Sequence, residues 1–156
     1  MEKGLEKISE LISLVLVLLV FLIVFDLSNR YLFSNGSIAL QELEWHLFDT
    51  IMLSSLFFTL KHNGHVRVDI IYSKLSEKWK SYIDIISHIF FIIPFSILII
   101  YFSYGFVELS FLQNEISPNP NGLEYRFIVK SLILFGFFLL IIQSILNITK
   151  IIKGLK

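Results

Sequence analysis

The chain has 156 residues, of which 55% are hydrophobic and 17% are charged, and its mean hydropathy is +0.75. Thirteen basic residues balance thirteen acidic ones, so the net charge gives no reason to expect a nucleic-acid partner. The absence of cysteine excludes a disulfide scaffold, and the apolar content excludes a disordered chain. This composition is typical of a membrane protein.

Four apolar segments predict membrane-spanning helices, because about 20 such residues cross the hydrocarbon layer. They lie at about 8–25, 45–60, 83–107 and 127–148. The second is the weakest, since Asp49 interrupts it. The predicted fold is an all-α membrane protein, with residues 1–156 forming a single four-helix membrane domain.

The distribution of basic residues predicts the orientation of the spans. Ten of the thirteen lie near the two termini or between the second and third spans; Arg30 and Arg126 lie in the other two loops, and Lys130 lies just inside the fourth span. Cytoplasmic loops carry an excess of Lys and Arg, so four spans place both termini in the cytoplasm. If the second segment did not cross, its basic loop would face outward and the asymmetry would be lost. The first segment ends without a small-residue cleavage site, so we expect an uncleaved helix.

The loops predict two short interfacial helices. In the first outer loop, residues 38–45 combine apolar positions with Glu42 and Glu44, a pattern that lets one side lie on lipid while the acids stay in water. In the inner loop, residues 70–80 predict a second such helix. Residues 117–122 form a proline-rich turn before the fourth span.

The polar residues near the spans are few and do not predict a reaction. His46 and His88 should be separated in depth by roughly 20 Å, which prevents them from holding one haem. His62 and His65 lack the spacing of a metal site. No nucleophile elbow, phosphate loop or zinc-protease motif is present. We therefore expect no catalytic, cofactor-binding or metal-binding residue and no enzymatic activity.

Two further features concern helix packing. Pro94 in the third span predicts a kink, which could be a moving hinge or a static bend. Small residues, among them Ser54, Ser96 and Gly136, predict close approach between helices.

Several motifs together resemble one known family. These are Asn29-Arg30-Tyr31, Glu42-Leu43-Glu44-Trp45, Gly64-His65-Val66-Arg67-Val68-Asp69, Ser117-Pro118-Asn119-Pro120 and Gly122-Leu123-Glu124-Tyr125-Arg126. On this skeleton the chain, from about Ile8 to Ile148, resembles the small membrane subunit of tripartite ATP-independent periplasmic (TRAP) transporters, the DctQ-like family. It departs from the family pattern where Leu43 separates two acids that are often adjacent.

The resemblance implies a multi-pass protein of the bacterial inner (cytoplasmic) membrane. Its partners would be membrane lipid, a large multi-span subunit that carries the substrate and sodium sites, and a periplasmic substrate-binding protein. The small subunit would support the large one during sodium-coupled uptake of small organic acids. No cofactor is implied.

The resemblance also suggests partner-interface residues at two places. The outer set is Arg30, Glu42, Glu44 and Trp45, with Arg30 expected to pair with one of the two acids. The inner set is His65, Arg67 and Asp69. Ordinary anchoring at the membrane interface remains the alternative for both sets.

Two other functions remain open from the residues alone. A haem- or quinone-anchoring subunit of a respiratory enzyme would need histidines at a common depth. A small self-assembling exporter would need a polar stripe along one helix face through the whole span. The sequence shows neither feature.

Overall fold

The computed structural model describes residues 2–62 and 72–154, with side chains from Lys7 onward except Ser9. These residues form helices and loops, with no strand among them. The helices are α1 (Glu2–Phe33), α2 (Ile38–Lys61), α3 (Glu77–Ser87), α4 (Ile93–Leu112) and α5 (Phe127–Gly154). A π-helical segment, His88–Ile92, joins α3 to α4. The all-α prediction is confirmed for this part of the chain.

By length and composition, three of the described helices could cross a membrane: Glu10–Phe33, Glu77–Leu112 and Phe127–Gly154. At 1.5 Å per residue, each exceeds the roughly 30 Å of the hydrocarbon layer. Three of the four predicted spans are thus helices of suitable length and hydropathy. The helix at the second span, α2, has 24 residues and is about 36 Å long, but acidic residues in its first half lower its hydropathy. Membrane crossing by α2 stays a prediction.

The helices extend further than the hydropathy pattern predicts. α1 continues for eight residues beyond Phe25, ending before Ser34, which has a left-handed backbone (φ 52°). The helix predicted in the first outer loop is the beginning of α2, where the Ser37 hydroxyl accepts a hydrogen bond from the Leu40 N–H at 3.4 Å. The inner-loop helix predicted at 70–80 lies partly outside the described residues, and from Glu77 the chain is already α3.

The helices form a row in the order α1, α2, α5, α4. The most extensive packing joins α2 to α5, and α4 and α1 each pack on one member of this pair. In a closed four-helix bundle, α1 would also pack extensively on α4, which it does not. The row therefore has two broad faces, and its buried apolar core is small, centred on Phe57 and Leu139.

Consecutive long helices run in opposite directions along the row. At one end, which we call the His88 end, Ile8 of α1 packs near Phe57 of α2, and His88 meets Ser144 of α5. At the other end, the Glu42 end, the start of α2 meets the loop between α4 and α5. α2 thus extends from the level of the loop before α5 to the level of Asn147, seven residues before the end of α5.

The centre of the row depends on a glycine. A Cβ atom on Gly136 of α5 would lie 2.6 Å from the carbonyl oxygen of Leu53 on α2 and 3.2 Å from its Cβ. Such contacts permit two helix backbones to approach closely where lipid supplies no hydrophobic driving force between helices. Close approach at Gly136 is confirmed, and Ser54 and Ser96 are buried as this interpretation requires.

Pro94 lies directly after the π-helical segment. Proline lacks an N–H and its ring crowds the carbonyl one turn earlier. The π turn accommodates this change, since the Ile93 N–H donates to the His88 carbonyl five residues back instead of four. The helix consequently continues through Pro94 to Leu112.

Most large apolar side chains on the long helices remain exposed. Many residues of α1 and α4 are among them. A chain with so much exposed apolar surface needs lipid or a protein partner on both faces of the row. The protein is therefore an integral membrane protein.

Candidate functional site

Glu42 holds the long α4–α5 loop against the start of α2. One carboxylate oxygen accepts hydrogen bonds from the Ser117 hydroxyl and from the Asn119 side-chain amide, the latter at 2.9 Å. The other oxygen accepts the Leu123 backbone N–H at 2.7 Å. Each donor comes from a position at least 75 residues away in the chain. Glu42 therefore joins two segments that are distant in sequence.

The loop is shaped to surround this carboxylate. The Ser117 N–H donates to the Leu123 carbonyl at 3.0 Å, which closes the loop on itself. A Cβ atom at Gly122 would lie 2.4 Å from the Ser117 hydroxyl oxygen and 2.8 Å from a Glu42 carboxylate oxygen. Only glycine fits this position without displacing the contacts.

The loop also contains strained backbone. Asn114, Asn121 and Tyr125 have left-handed φ angles of 46°, 59° and 59°. Asparagine tolerates this conformation, but tyrosine rarely adopts it. A residue keeps such a conformation when its surroundings hold it there. The contacts of Glu42 help to supply that constraint.

The hydrogen bonds also perturb the carboxyl group. The Ser117 hydroxyl, the Asn119 amide and the Leu123 N–H favour the charged form of Glu42 and lower its pKa from 4.5 to about 2. Burial opposes this shift, and Arg126 adds a smaller favourable charge. Glu42 is therefore a carboxylate at neutral pH, with its oxygens already occupied by its own chain.

Two acidic residues and one arginine lie where α1 packs on α2. Asp26 is 2% exposed and forms an ion pair with Arg30, one turn later on the same helix. Both charges affect Glu44 of α2. Burial raises the pKa of Glu44, the Asp26 carboxylate raises it further, and the Arg30 guanidinium lowers it. The expected partner of Arg30 was Glu42 or Glu44, but its ion pair is with Asp26.

An ion pair between α5 and the α4–α5 loop lies at the same end of the row. Lys130 of α5 forms an ion pair with Glu115, and its ammonium lies 3.9 Å from the centroid of the Phe106 ring. The amine is thus held by a carboxylate and an aromatic face at once. The Lys130 hydrogen bond lowers the pKa of Glu115.

The exposed part of the Glu42 end is a cleft next to Trp45, whose side chain is 68% exposed. The cleft has a volume of about 370 Å³. Its lining combines apolar, acidic, basic and amide groups from α2, the α4–α5 loop and α5, namely Ile38, Gln41, Glu42, Trp45, His46, Asp49, Asn119, Arg126 and Val129. Such a mixed, open surface suits contact with another protein more than enclosure of a small apolar ligand.

The His88 end is joined by polar side chains within the helix row. His88 is buried, and its Nδ1 lies 2.7 Å from the Ser144 hydroxyl oxygen of α5. The Asn147 amide donates to the Leu60 carbonyl at 3.2 Å and thereby links α5 to the end of α2. The Tyr72 hydroxyl donates to Asp84 at 2.8 Å. The contacts of His88 and Asn147 join neighbouring helices and fix their relative positions, whereas Tyr72 holds the segment before α3.

The two histidines considered for haem binding lie at opposite ends of the row. His46 lines the cleft at the Glu42 end, whereas His88 contacts Ser144 at the other end. Within residues 2–62 and 72–154, no three His, Asp or Glu side chains come together in a group that could hold a metal ion. The described arrangement can hold loops and helices together and present charged surfaces.

The structure brings together only part of the predicted set. Arg30, Glu42, Glu44 and Trp45 all lie at the Glu42 end, whereas the predicted inner residues, His65, Arg67 and Asp69, lie outside the described residues. Sequence analysis missed the pairing of Glu42 with Ser117, Asn119 and Leu123. The motifs on both sides of that contact were visible, but nothing local linked them.

Comparison with known proteins gives a concordant result. The family model described as Tripartite ATP-independent periplasmic transporters, DctQ component, matches residues 19–154. A protein of Haemophilus influenzae, provisionally assigned the name TRAP transporter small permease protein, is 27% identical over 127 residues. That alignment covers 81% of this chain and 74% of the relative. The resemblance noted from the motifs is confirmed.

Proposed function

We propose, from the premise that this chain belongs to the DctQ component family of the tripartite ATP-independent periplasmic transporters, that it is the small membrane subunit of a TRAP-type secondary transporter. In this proposal it supports a large multi-span subunit during sodium-coupled uptake of small organic acids. A periplasmic binding protein delivers the substrate. The observation that carries the proposal is the family match over residues 19–154.

The open row of helices supports a structural role. Its two broad faces leave many large apolar side chains exposed, as expected for a chain that packs beside a larger membrane protein. Among the buried polar residues of the described part, His88 and Ser144 bond between helices, whereas Asp26, Ser96 and Gln143 bond within their own helices, and together they form no continuous line through the row. The proposal therefore assigns substrate and sodium recognition to the large subunit and no enzymatic activity to this chain.

The proposed topology is multi-pass, with four spans in the bacterial inner membrane and both termini in the cytoplasm. The opposite directions of consecutive helices support it, since α2 extends along α5 from the loop before that helix to Asn147. Ten of the thirteen basic residues lie near the termini or between Lys61, the last residue of α2, and Lys80, in the first turn of α3. Reporter fusions at Gly36 and at the C-terminus should report opposite sides, and the same side for both would contradict four spans.

At the Glu42 end, Glu42 has a supporting role, because its oxygens are occupied by the α4–α5 loop. Trp45 and the adjacent cleft are the surface offered to the large subunit or the binding protein. Arg30 and Glu44 hold the α1 side of that surface. The inner residues His65, Arg67 and Asp69 are proposed to contact the large subunit on the cytoplasmic side.

Affinity purification tests the main proposal. The tagged chain, expressed with its neighbouring genes and extracted in mild detergent, should recover a large polytopic protein. Removing this chain should abolish uptake, while proteoliposomes that contain it alone should show no solute flux. Flux through this chain alone, or a purified protein with a haem Soret band, would contradict the proposal.

Point variants test the two surfaces separately. Replacing Glu42 and Glu44 together by alanine should reduce uptake, and unchanged uptake would remove the outer proposal. Reversing the charge with Arg67→Glu should weaken assembly, and intact assembly would remove the inner proposal.

A further inference from the structure

The helix α4 has two different faces. The face that packs on α5 repeats serine every seven residues, at Ser96, Ser103 and Ser110, and the first and last of these are buried. Small residues at this spacing let two helices approach closely in a membrane. The opposite face points away from the row, because α4 is the last helix in it.

This opposite face carries polar groups. We define the outward face of α4 by Tyr101, Tyr104, Gly105 and Glu108, which are spaced so that they lie on one side of a helix. All four residues are exposed, and a Cβ atom at Gly105 would meet nothing within 4 Å. Among the described residues, the two tyrosine hydroxyls and the Glu108 carboxylate have no hydrogen-bond or ion-pair partner. Glu108 is also the only charged residue between Asp84 and Glu115.

The depth of these groups makes lipid a poor neighbour. The ion pair of Lys130 with Glu115 marks the polar boundary at this end, and Tyr101 lies about 17 Å before the end of α4 at Leu112. Side chains on a helix tilt toward its N-terminus, which places the tyrosine hydroxyls deeper still. Glu108 lies about 6 Å before Leu112, close to this boundary, so the cost of a polar group without a partner in hydrocarbon falls on the two tyrosine hydroxyls.

The opposite end of the row provides the contrast. On α1, every exposed side chain from Leu14 to Phe25 is apolar. A surface of that kind needs only lipid. The two end helices of the row therefore differ, because the outward face of α4 carries polar groups without partners and the middle of α1 carries none.

We propose that the outward face of α4 packs against a membrane-spanning helix of the large subunit, and that this helix brings a basic side chain to Glu108. Charge complementarity favours this occupant, since a carboxylate and two hydroxyls without partners on one exposed face match a helix that offers a cation and hydrogen-bonding groups, which lipid tails lack. Gly105 permits close approach of the partner helix, and the partner also supplies hydrogen bonds to Tyr101 and Tyr104. This inference rests on the proposed function and adds the contact face to it.

Site-specific photocrosslinking in membranes that contain the complete transporter tests the face. The photoreactive residue benzoylphenylalanine replaces Tyr101 in one variant and Phe102 in the matched control. The two positions are 75% and 69% exposed and differ in depth by one residue, but point about 100° apart around the helix. A third variant places the probe at Phe21 of α1, which is 70% exposed. We expect the large subunit to be captured from Tyr101 and only lipid from Phe102 and Phe21.

The possible results separate this inference from the proposed function. If the large subunit co-purifies but is captured from Phe21 and not from Tyr101, the α4 contact is wrong and the proposed function stands. Capture of lipid alone from Tyr101 in an intact complex also overturns the contact. If the unmodified chain recovers no large subunit, the proposed function itself fails.

Substitutions provide an independent readout. Glu108→Lys should lower recovery of the large subunit by about tenfold or more, because it sets two cations against each other. Glu108→Gln should lower it less, and Gly105→Leu should block close approach. Because both positions are exposed and a Cβ at Gly105 meets nothing, the two Glu108 variants should keep the melting temperature of the isolated subunit, and Gly105→Leu should not lower it, since leucine has the higher helix propensity. Recovery at the wild-type level with both Glu108→Lys and Gly105→Leu would overturn the proposal.

Discussion

Replacing Gly136 by alanine should separate α2 from α5. The added Cβ would lie 2.6 Å from the Leu53 carbonyl oxygen, whereas ordinary contact begins at 3.4 Å, so the two backbones must move apart by about 0.8 Å. A gap of this size forfeits a quarter to a half of the dispersion energy of the atoms beside it. Overpacking of this kind costs about 1–3 kcal/mol.

Gly105→Ala is the matched control. Its Cβ would meet nothing within 4 Å, so the only change is the helix propensity, which favours alanine by about 1 kcal/mol. Gly136→Ala has the same propensity gain together with the steric cost. The difference between the two variants therefore isolates the contact with Leu53 and should be about 1–3 kcal/mol.

Unfolding of the purified subunit in mixed micelles, followed by circular dichroism, measures this difference. We expect Gly136→Ala to unfold at a lower fraction of denaturing detergent than Gly105→Ala. Equal stabilities would refute the close approach of α2 and α5 at this glycine. A Gly105→Ala variant that is the less stable of the two would refute the assignment of its position to the outside of the row.

Three further predictions concern polar contacts. Because the folded pKa of Glu42, about 2, is below its ordinary 4.5, its stabilisation of the loop is complete above pH 4.5 and is lost as the pH falls toward 2. Protection of the loop amides against hydrogen exchange, taken relative to the intrinsic rate at each pH, should fall over that window, and a Glu42→Gln variant, with low protection at every pH, is the control. Wild-type protection that is insensitive to acid would contradict this. Arg30→Ala should destabilise the subunit by about 2–3 kcal/mol, because Asp26 stays buried without its partner, whereas Arg30→Lys should lose less stability. Equal losses of stability in detergent unfolding would argue against the charge as the cause. Ser144→Ala removes the bond to His88 and should cost about 0.6–1.5 kcal/mol, while Ser144→Thr retains the hydroxyl; a neutral Ser144→Ala would show that the bond contributes nothing.

The helices were predictable because the signal for each is local. An apolar run of about 20 residues forms a helix in lipid, where backbone groups have no other hydrogen-bond partners. The helix α1 continues past Phe25 for a local reason as well. The ion pair between Asp26 and Arg30 forms within one helical turn and stabilises the helix as far as Phe33. Hydropathy reports where the apolar run ends, which is not where the helix ends.

The contacts of Glu42 and His88 were not predictable in the same way. Glu42 meets Leu123 across 81 positions, and His88 meets Ser144 across 56. Each pair depends on how far neighbouring helices are shifted and rotated against each other. No property of the residues near Glu42 or near His88 contains that information.

The chain's own residues determined its membrane character, the number of apolar segments, the uneven placement of basic groups and the family resemblance. These are sums over neighbouring residues, and each can be evaluated without knowing where the rest of the chain lies. Tertiary structure decided the row of helices, the partners of Glu42 and Arg30, and the polar side of α4 that remains uncovered. These depend on close packing at a few points such as Gly136, where a distance of less than one ångström decides which surfaces can meet.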